Sequence, residues 1–190
     1  MLRFKGDLKS ERLCYYVKLK ILLLNVEVIV TIQVGDKMPE GAFGVMTAEG
    51  PGQVTSEELF AGKKTVIFAV PGAFTPACSA QHLPGFIEKS DELKAKGVDN
   101  IACLSVNDVF VMGAWSKDQG AEGKVTLLAD GNADYVTALG LQLDATGFGM
   151  GTRGERFAVV VEDGVVTQLH REAAASDVKA SSAENILNNL

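Results

Sequence analysis

The chain has 190 residues, 47% of them hydrophobic, which suits one domain with a real core and is too little for two independent ones. Its 24 acidic and 18 basic side chains give a formal charge of −6; residues 1–33 carry six Lys/Arg against three Asp/Glu, so the remainder holds 12 against 21. An acidic body of this kind offers no footprint for nucleic acid and argues against an anionic membrane surface.

Tyr15 to Val34 is rich in Leu, Ile and Val, but Lys18, Lys20, Asn25 and Glu27 interrupt it. Its longest clean apolar piece, Ile21–Leu24, is far short of a membrane span. A basic start before an apolar stretch is similar to a signal peptide, yet no small-residue cleavage site follows. Val26–Val34 reads as strand material. A domain starting near Val30 looks complete, so residues 1–31 are expected to be an extension, either accessory or upstream sequence translated only on paper. Residues 32–190 are the expected folded domain.

Gly35–Gly41 is turn-rich, Gly50-Pro51-Gly52 is expected to turn, and Thr55-x-x-Glu58 is a capping box for a short helix through Phe60. Thr65–Val70 is an uninterrupted β-prone run, expected as a central strand covered on both faces. Leu83, Phe86, Ile87, Ser90 and Leu93 follow helical spacing, with Pro84 set to bend or restart the helix and Gly97 to end it. Asn100–Val106 is the next strand, and a short helix containing Val109, Phe110, Met112 and Trp115 follows. Val125–Ala129 and Ala133–Leu139 repeat the strand and helix. Phe157–Glu162 and Val165–Leu169, joined by Asp163-Gly164, give the strongest hairpin signal. Ser181-x-x-Glu184 is expected to cap a final helix. Strands alternating with helices, then a hairpin and a helix, predict an α/β domain: a central mixed sheet flanked by helices.

The three cysteines, Cys14, Cys78 and Cys103, are odd in number and irregularly spaced, with no CxxC. They do not form a disulfide framework, and a reducing compartment, the cytoplasm, is expected. With only His82 and His170 beside them, no zinc cluster is expected. Cys78 is the most informative residue, because it follows an apolar strand and a Pro-Gly turn at the start of a helical pattern. Backbone N–H groups and the positive end of a helix raise the thiolate fraction of a thiol placed there. The plain alternative is a small buried cysteine filling a strand-to-helix corner.

Several cysteine chemistries can be compared. A phosphatase needs an arginine close behind the sulfur, and Ser79–Pro84 contains none. A protease needs a histidine base and a substrate groove; His82 could reach the thiol, but no groove is identifiable. Peroxide reduction needs donors that polarise an O–O bond beside a shielded thiolate. Thr75 can place a hydroxyl beside the sulfur, Pro71 and Pro76 restrict the loop, and a distal arginine could hold the anion.

Pro71–Ser79 with His82-Leu-Pro-Gly-Phe86 resembles the peroxiredoxin signature, in the peroxiredoxin-5 or plant type II branch. The likeness continues through Ala102–Asp108, Ala129-Asp130, Gly149–Phe157 and Ser181–Ile186. It implies a thioredoxin-like fold and a thiol-dependent peroxidase acting on hydrogen peroxide and small organic hydroperoxides. By this resemblance Cys78 is the peroxidatic cysteine, Thr75 its hydroxyl partner and Arg153 the active-site arginine. Pro71 fixes the loop, and the N–H groups of Ala77 and Cys78 help bind peroxide. Arg156 is read as structural or interfacial, and a homodimer is implied. Where animal-type members carry a resolving cysteine this chain has Ala180, so an external thiol, glutathione with glutaredoxin or else thioredoxin, is the expected reductant. Cys103 matches a cysteine of plant-type relatives considered as an intramolecular partner, although inert packing in a strand is its leading reading; Cys14 lies outside the matched region. His82 is read as a satisfied helix histidine or an auxiliary group. No dinucleotide or Walker motif occurs, so no cofactor beyond the external thiol is expected. The alternative function is a redox-sensing protein switched by oxidation of Cys78, and the plainest is a structural domain with an unreactive thiol.

Overall fold

The computed structural model describes residues 30–190. Residues 1–29, with Cys14 and most of the expected extension, lie outside the described residues. Within residues 30–34 the chain forms no strand, although the Ile32 amide donates to the Leu139 carbonyl.

Among the described residues nine strands form: β1 Ala42–Thr47, β2 Gly50–Thr55, β3 Lys64–Val70, β4 Asn100–Ser105, β5 Thr126–Ala129, β6 Gln142–Asp144, β7 Thr152–Gly154, β8 Phe157–Glu162 and β9 Val165–Arg171. Seven of them make one sheet, ordered β2-β1-β5-β4-β3-β8-β9, while β6 and β7 pair separately. β3, β4 and β5 run parallel, and the outer strands are antiparallel. The helices are α1 Ser56–Phe60, α2 Leu83–Glu88, α3 Ser90–Ala95, α4 Val109–Gln119, α5 Asp134–Ala138 and α6 Ala183–Asn189. This is the expected mixed α/β architecture.

β3 is central because its apolar run has no polar side to leave wet. Alternation sends its residues to two cores. Val66, Phe68 and Val70 join Cys78, Leu83, Phe86, Cys103, Trp115 and Ile186 on one face. Ile67 and Ala69 join Phe43, Tyr135, Val136 and Leu139 on the other. Helices therefore cover both faces, and truncating a fully buried aromatic such as Phe86 would cost about 3–5 kcal/mol.

Local signals account for several boundaries. Thr55 and Glu58 form the reciprocal capping box. Asp163 and Gly164 both take positive φ, the geometry a two-residue hairpin needs. Other expectations shift. Gly50-Pro51-Gly52 lies within β2 rather than in a turn, which an edge strand tolerates because the missing proline N–H faces no partner. The final helix is capped by Ser182, whose hydroxyl accepts from the Asn185 amide, and not by Ser181. Pro84 follows the π-helical turn Cys78–His82 without ending the helix, which breaks afterwards at Lys89.

Candidate active site

The end of β3 carries the site. Beyond Val70, buried Pro71 opens a loop that returns at Cys78, the first residue of a π-helical turn Cys78–His82 that feeds into α2. The loop is pinned from below. The Ala73 amide donates to Asn107 Oδ1 (3.0 Å), and the Ser105 hydroxyl donates to the same oxygen (2.7 Å). Trp115 Nε1 donates to Ser79 Oγ (3.0 Å), fixing the start of the helix. Gly72 allows a close approach of three side chains. A Cβ there would lie 3.3 Å from Thr75 Cγ2, Met150 Cε and an Arg153 nitrogen at once.

Cys78 Sγ is fully buried and has two polar partners. Thr75 Oγ1 lies 2.8 Å away, and Arg156 Nη2 donates to the sulfur over 3.3 Å. Thr75 Oγ1 is also 2.8 Å from the Gly72 carbonyl. A hydroxyl has one proton, so it can serve the carbonyl while accepting from a thiol, then turn that proton to a thiolate. The guanidinium is permanently charged and favours the anion. Ala77 and Cys78 fall in the first helical turn, where N–H groups have no intrahelical acceptor.

The arginine at the sulfur is therefore Arg156, and the expectation of Arg153 in that place is corrected. Arg153 donates through Nε to the Met150 carbonyl (2.8 Å) and through Nη1 to the Val106 carbonyl (2.9 Å), and packs on Gly72. It braces the loop from outside the sulfur's contacts. Arg156 precedes β8, in which Ala158 and Val160 face the Cys78 core while Phe157 and Val159 face the other. Alternation by two puts Arg156 on the Cys78 side. Phe157 pairs with Ala69, one residue from the end of β3, which brings Arg156 level with the site. Strand parity was the available signal.

His82 is 1% exposed and joins the same group. Its Nδ1 lies 3.0 Å from Arg156 Nη1 and its Nε2 2.9 Å from the Ser181 carbonyl. A guanidinium only donates, so Nδ1 accepts and Nε2 carries the proton. Burial, with the Arg156 charge, pushes His82 down to about 4, against the hydrogen bond to Ser181, so the ring is neutral near pH 7. The π-helical turn supplies this geometry: it closes with the Leu83 amide on the Cys78 carbonyl and holds His82 under the sulfur's partner.

Cys103 is in β4, paired across the sheet with Phe68 and Leu127, on the same face as Cys78. It is fully buried, and burial followed by the nearby Cys78 pushes its thiol well above the ordinary range. Both described cysteines are free thiols. Trp115 and Met112 are core residues, whereas Phe110 is 65% exposed. Among the described residues no helix is long and apolar enough to cross a membrane, and no three His, Cys, Asp or Glu side chains converge as metal ligands.

Residues 33–187 match the Redoxin family. The chain is 47% identical over 160 residues to Peroxiredoxin-2B of Arabidopsis thaliana, covering 84% of this chain and 98% of that protein. It is 50% identical over 168 residues to the rice (Oryza sativa subsp. japonica) protein Peroxiredoxin-2E-2, chloroplastic, covering 86% of this chain and 74% of the relative. Among solved structures, reduced Prx3 in complex with hydrogen peroxide from Vibrio vulnificus superposes with a TM-score of 0.79 at 50% identity, covering 84% of this chain and 99% of that one.

Proposed function

Because the chain belongs to the peroxiredoxin family and is a thiol peroxidase, we propose that Cys78 is its attacking sulfur, that its substrates are hydrogen peroxide and small organic hydroperoxides, and that an external thiol restores it. The carrying observation is the pair of polar contacts on a fully buried sulfur, Thr75 Oγ1 and Arg156 Nη2.

The thiolate attacks the terminal oxygen of ROOH. An S–O bond forms as the O–O bond breaks, and the departing RO⁻ takes a proton to leave as ROH. Arg156 and the Thr75 hydroxyl are aimed at the sulfur, where they can stabilise charge as it moves onto oxygen. The first-turn N–H groups of Ala77 and Cys78 add donors, and Pro71 with the Asn107 and Arg153 braces keeps the loop closed against water. The sulfenic acid then condenses with glutathione, forming a mixed disulfide and releasing water. A second thiol, delivered by glutaredoxin, attacks that disulfide and frees Cys78.

Ala180 has no sulfur, and Cys103 is held in a central strand with ladder partners on both sides, which supports an external reductant. Since Cys78 is fully buried, glutathione can reach it only if the 71–77 loop opens. A second reading, thioredoxin recycling of a Cys78–Cys103 disulfide, is favoured by one observation, that both thiols face the same core. Intact-mass analysis after stoichiometric peroxide, without and then with glutathione, separates the two. A sulfenic acid that converts to a glutathione adduct supports the first reading; loss of two hydrogens without glutathione supports the second. We also propose a homodimer, to which exposed Phe74, Phe110 and Phe148 could contribute apolar contact area; sedimentation of the wild type as a monomer at micromolar concentration would reject it.

A further inference from the structure

Besides its bond to Cys78, the Arg156 guanidinium is tied to one surface segment directly through Nε and indirectly through His82. Its Nε donates to the Ala175 carbonyl (2.9 Å) and its Nη1 to His82, which leans on the Ser181 carbonyl. Ala175 and Ser181 both belong to the stretch between β9 and α6, which has no regular structure and is exposed over residues 173–176. Glu172 fastens this stretch at both ends. Its amide donates to the Arg156 carbonyl (3.0 Å). Its Oε1 accepts from the Lys179 amide (2.6 Å), the Ser181 amide (2.8 Å) and the Ser181 hydroxyl (2.8 Å).

We propose that the Glu172 carboxylate is a positioning group for Cys78: by clasping the 179–181 turn it keeps the Ser181 carbonyl on His82, and through His82 it keeps Arg156 on the sulfur. The proposal deepens the peroxidase reading and rests on it for the meaning of Arg156. A neutral imidazole in a dry site needs both of its partners. If the turn drifts, Nε2–H loses its acceptor, the ring is free to rotate, and Arg156 Nη1 loses Nδ1. Burial alone would raise the Glu172 carboxyl, but the bonds from Ser181 and Lys179 outweigh it and hold it below its ordinary range, so the clasp is charged at neutral pH.

The sign of the effect separates this role from simple electrostatics. Deleting a negative charge near the site would, through space, favour the Cys78 anion. Losing the placement of Arg156 disfavours it. The readout is the pH midpoint of ultraviolet thiolate absorbance, taken as the difference from Cys78→Ser, alongside the peroxide rate. Glu172→Ala is expected to raise the midpoint and slow peroxide reduction roughly tenfold. Glu172→Asp keeps the charge but shortens the reach, and should move the midpoint the same way if the alanine variant fails to fold. Glu172→Gln keeps the acceptor oxygen and should stay within about threefold of wild type in rate. In an Arg156→Met background the Glu172 substitutions should add nothing. Midpoints unchanged or lowered in both Glu172→Ala and Glu172→Asp, or an equal rise without Arg156, would overturn the proposal. The absorbance measurement uses no peroxide, so a wild type that failed to reduce peroxide would break the peroxidase reading and leave the clasp to be judged by its own shift.

Discussion

Cys78 and Cys103 are two fully buried sulfurs in the same core, facing the same side of one sheet. Their surroundings differ in what accompanies the burial. Cys103 lies mid-strand among apolar side chains, and its thiol is driven towards the neutral form. Cys78 sits one loop beyond a strand end, in the first turn of a helix, where a hydroxyl and a guanidinium converge on the sulfur. Burial strengthens these polar contacts because water cannot screen them. The contrast teaches that burial alone does not make a cysteine inert; the donors that share the buried space decide.

The largest expected effect breaks the pair at its reactive member. Cys78→Ser should abolish peroxide consumption, by more than about 10⁴-fold, since an alcohol cannot supply the nucleophile at neutral pH. Rapid turnover by that variant would remove Cys78 from the chemistry. Next come the two arginines. Arg156→Met should lower the second-order rate with peroxide by roughly 10²–10³, the range for losing one aimed donor. Arg153→Met loosens the loop brace and should cost roughly tenfold or less. Equal losses, or the reverse order, would restore Arg153 to the sulfur's side.

His82 links the reactive region to pH. Its folded value of about 4 lies below the ordinary 6.5, so the unfolded chain binds a proton more readily between them. Its contribution to stability is complete above about pH 6.5 and is lost as pH falls towards 4, reaching roughly 3 kcal/mol if the full difference is realised. Urea unfolding from pH 7 to 4 should show this slope in the wild type and a flatter one in His82→Asn. Parallel slopes would mean that the imidazole is not held neutral in the fold.

How far such contrasts were legible in the sequence depends on the range of the contact. Thr75 and Cys78 are three residues apart, so their meeting is a local event that spacing can announce. The 157–169 hairpin was equally local, because Asp163-Gly164 carries its own turn chemistry. Arg156 meets Cys78 across 78 residues, and choosing it over Arg153 required the register of β8 against β3. A motif comparison gives no register; the alternation of Ala158 and Val160 would have helped. His82 is expected either as a satisfied helix histidine or as an auxiliary group, and the acceptor that its Nε2 finds is a backbone carbonyl that no residue identity advertises. Asn107 lies in a segment that carries the family resemblance, but its role in tying the loop to the end of β4 is a contact over 34 residues that the motif does not announce.

The smallest expected effect concerns the quiet member of the pair. If Cys103 is packing, Cys103→Ala removes one sulfur from a tight site and should cost about 1–2 kcal/mol, leaving turnover with glutathione and glutaredoxin within about twofold. Cys103→Ser should cost more although serine is closer in shape, because its hydroxyl enters an apolar site and must either find a strand carbonyl or stay unpaired. Melting curves and turnover on both variants therefore give two orderings. Packing predicts that stability falls from wild type to alanine to serine while the rate barely moves. A resolving thiol predicts that both folded variants lose thioredoxin-dependent turnover together, whatever their stability. The orderings cannot both hold, so this modest perturbation decides whether the two sulfurs share a core or also share a reaction.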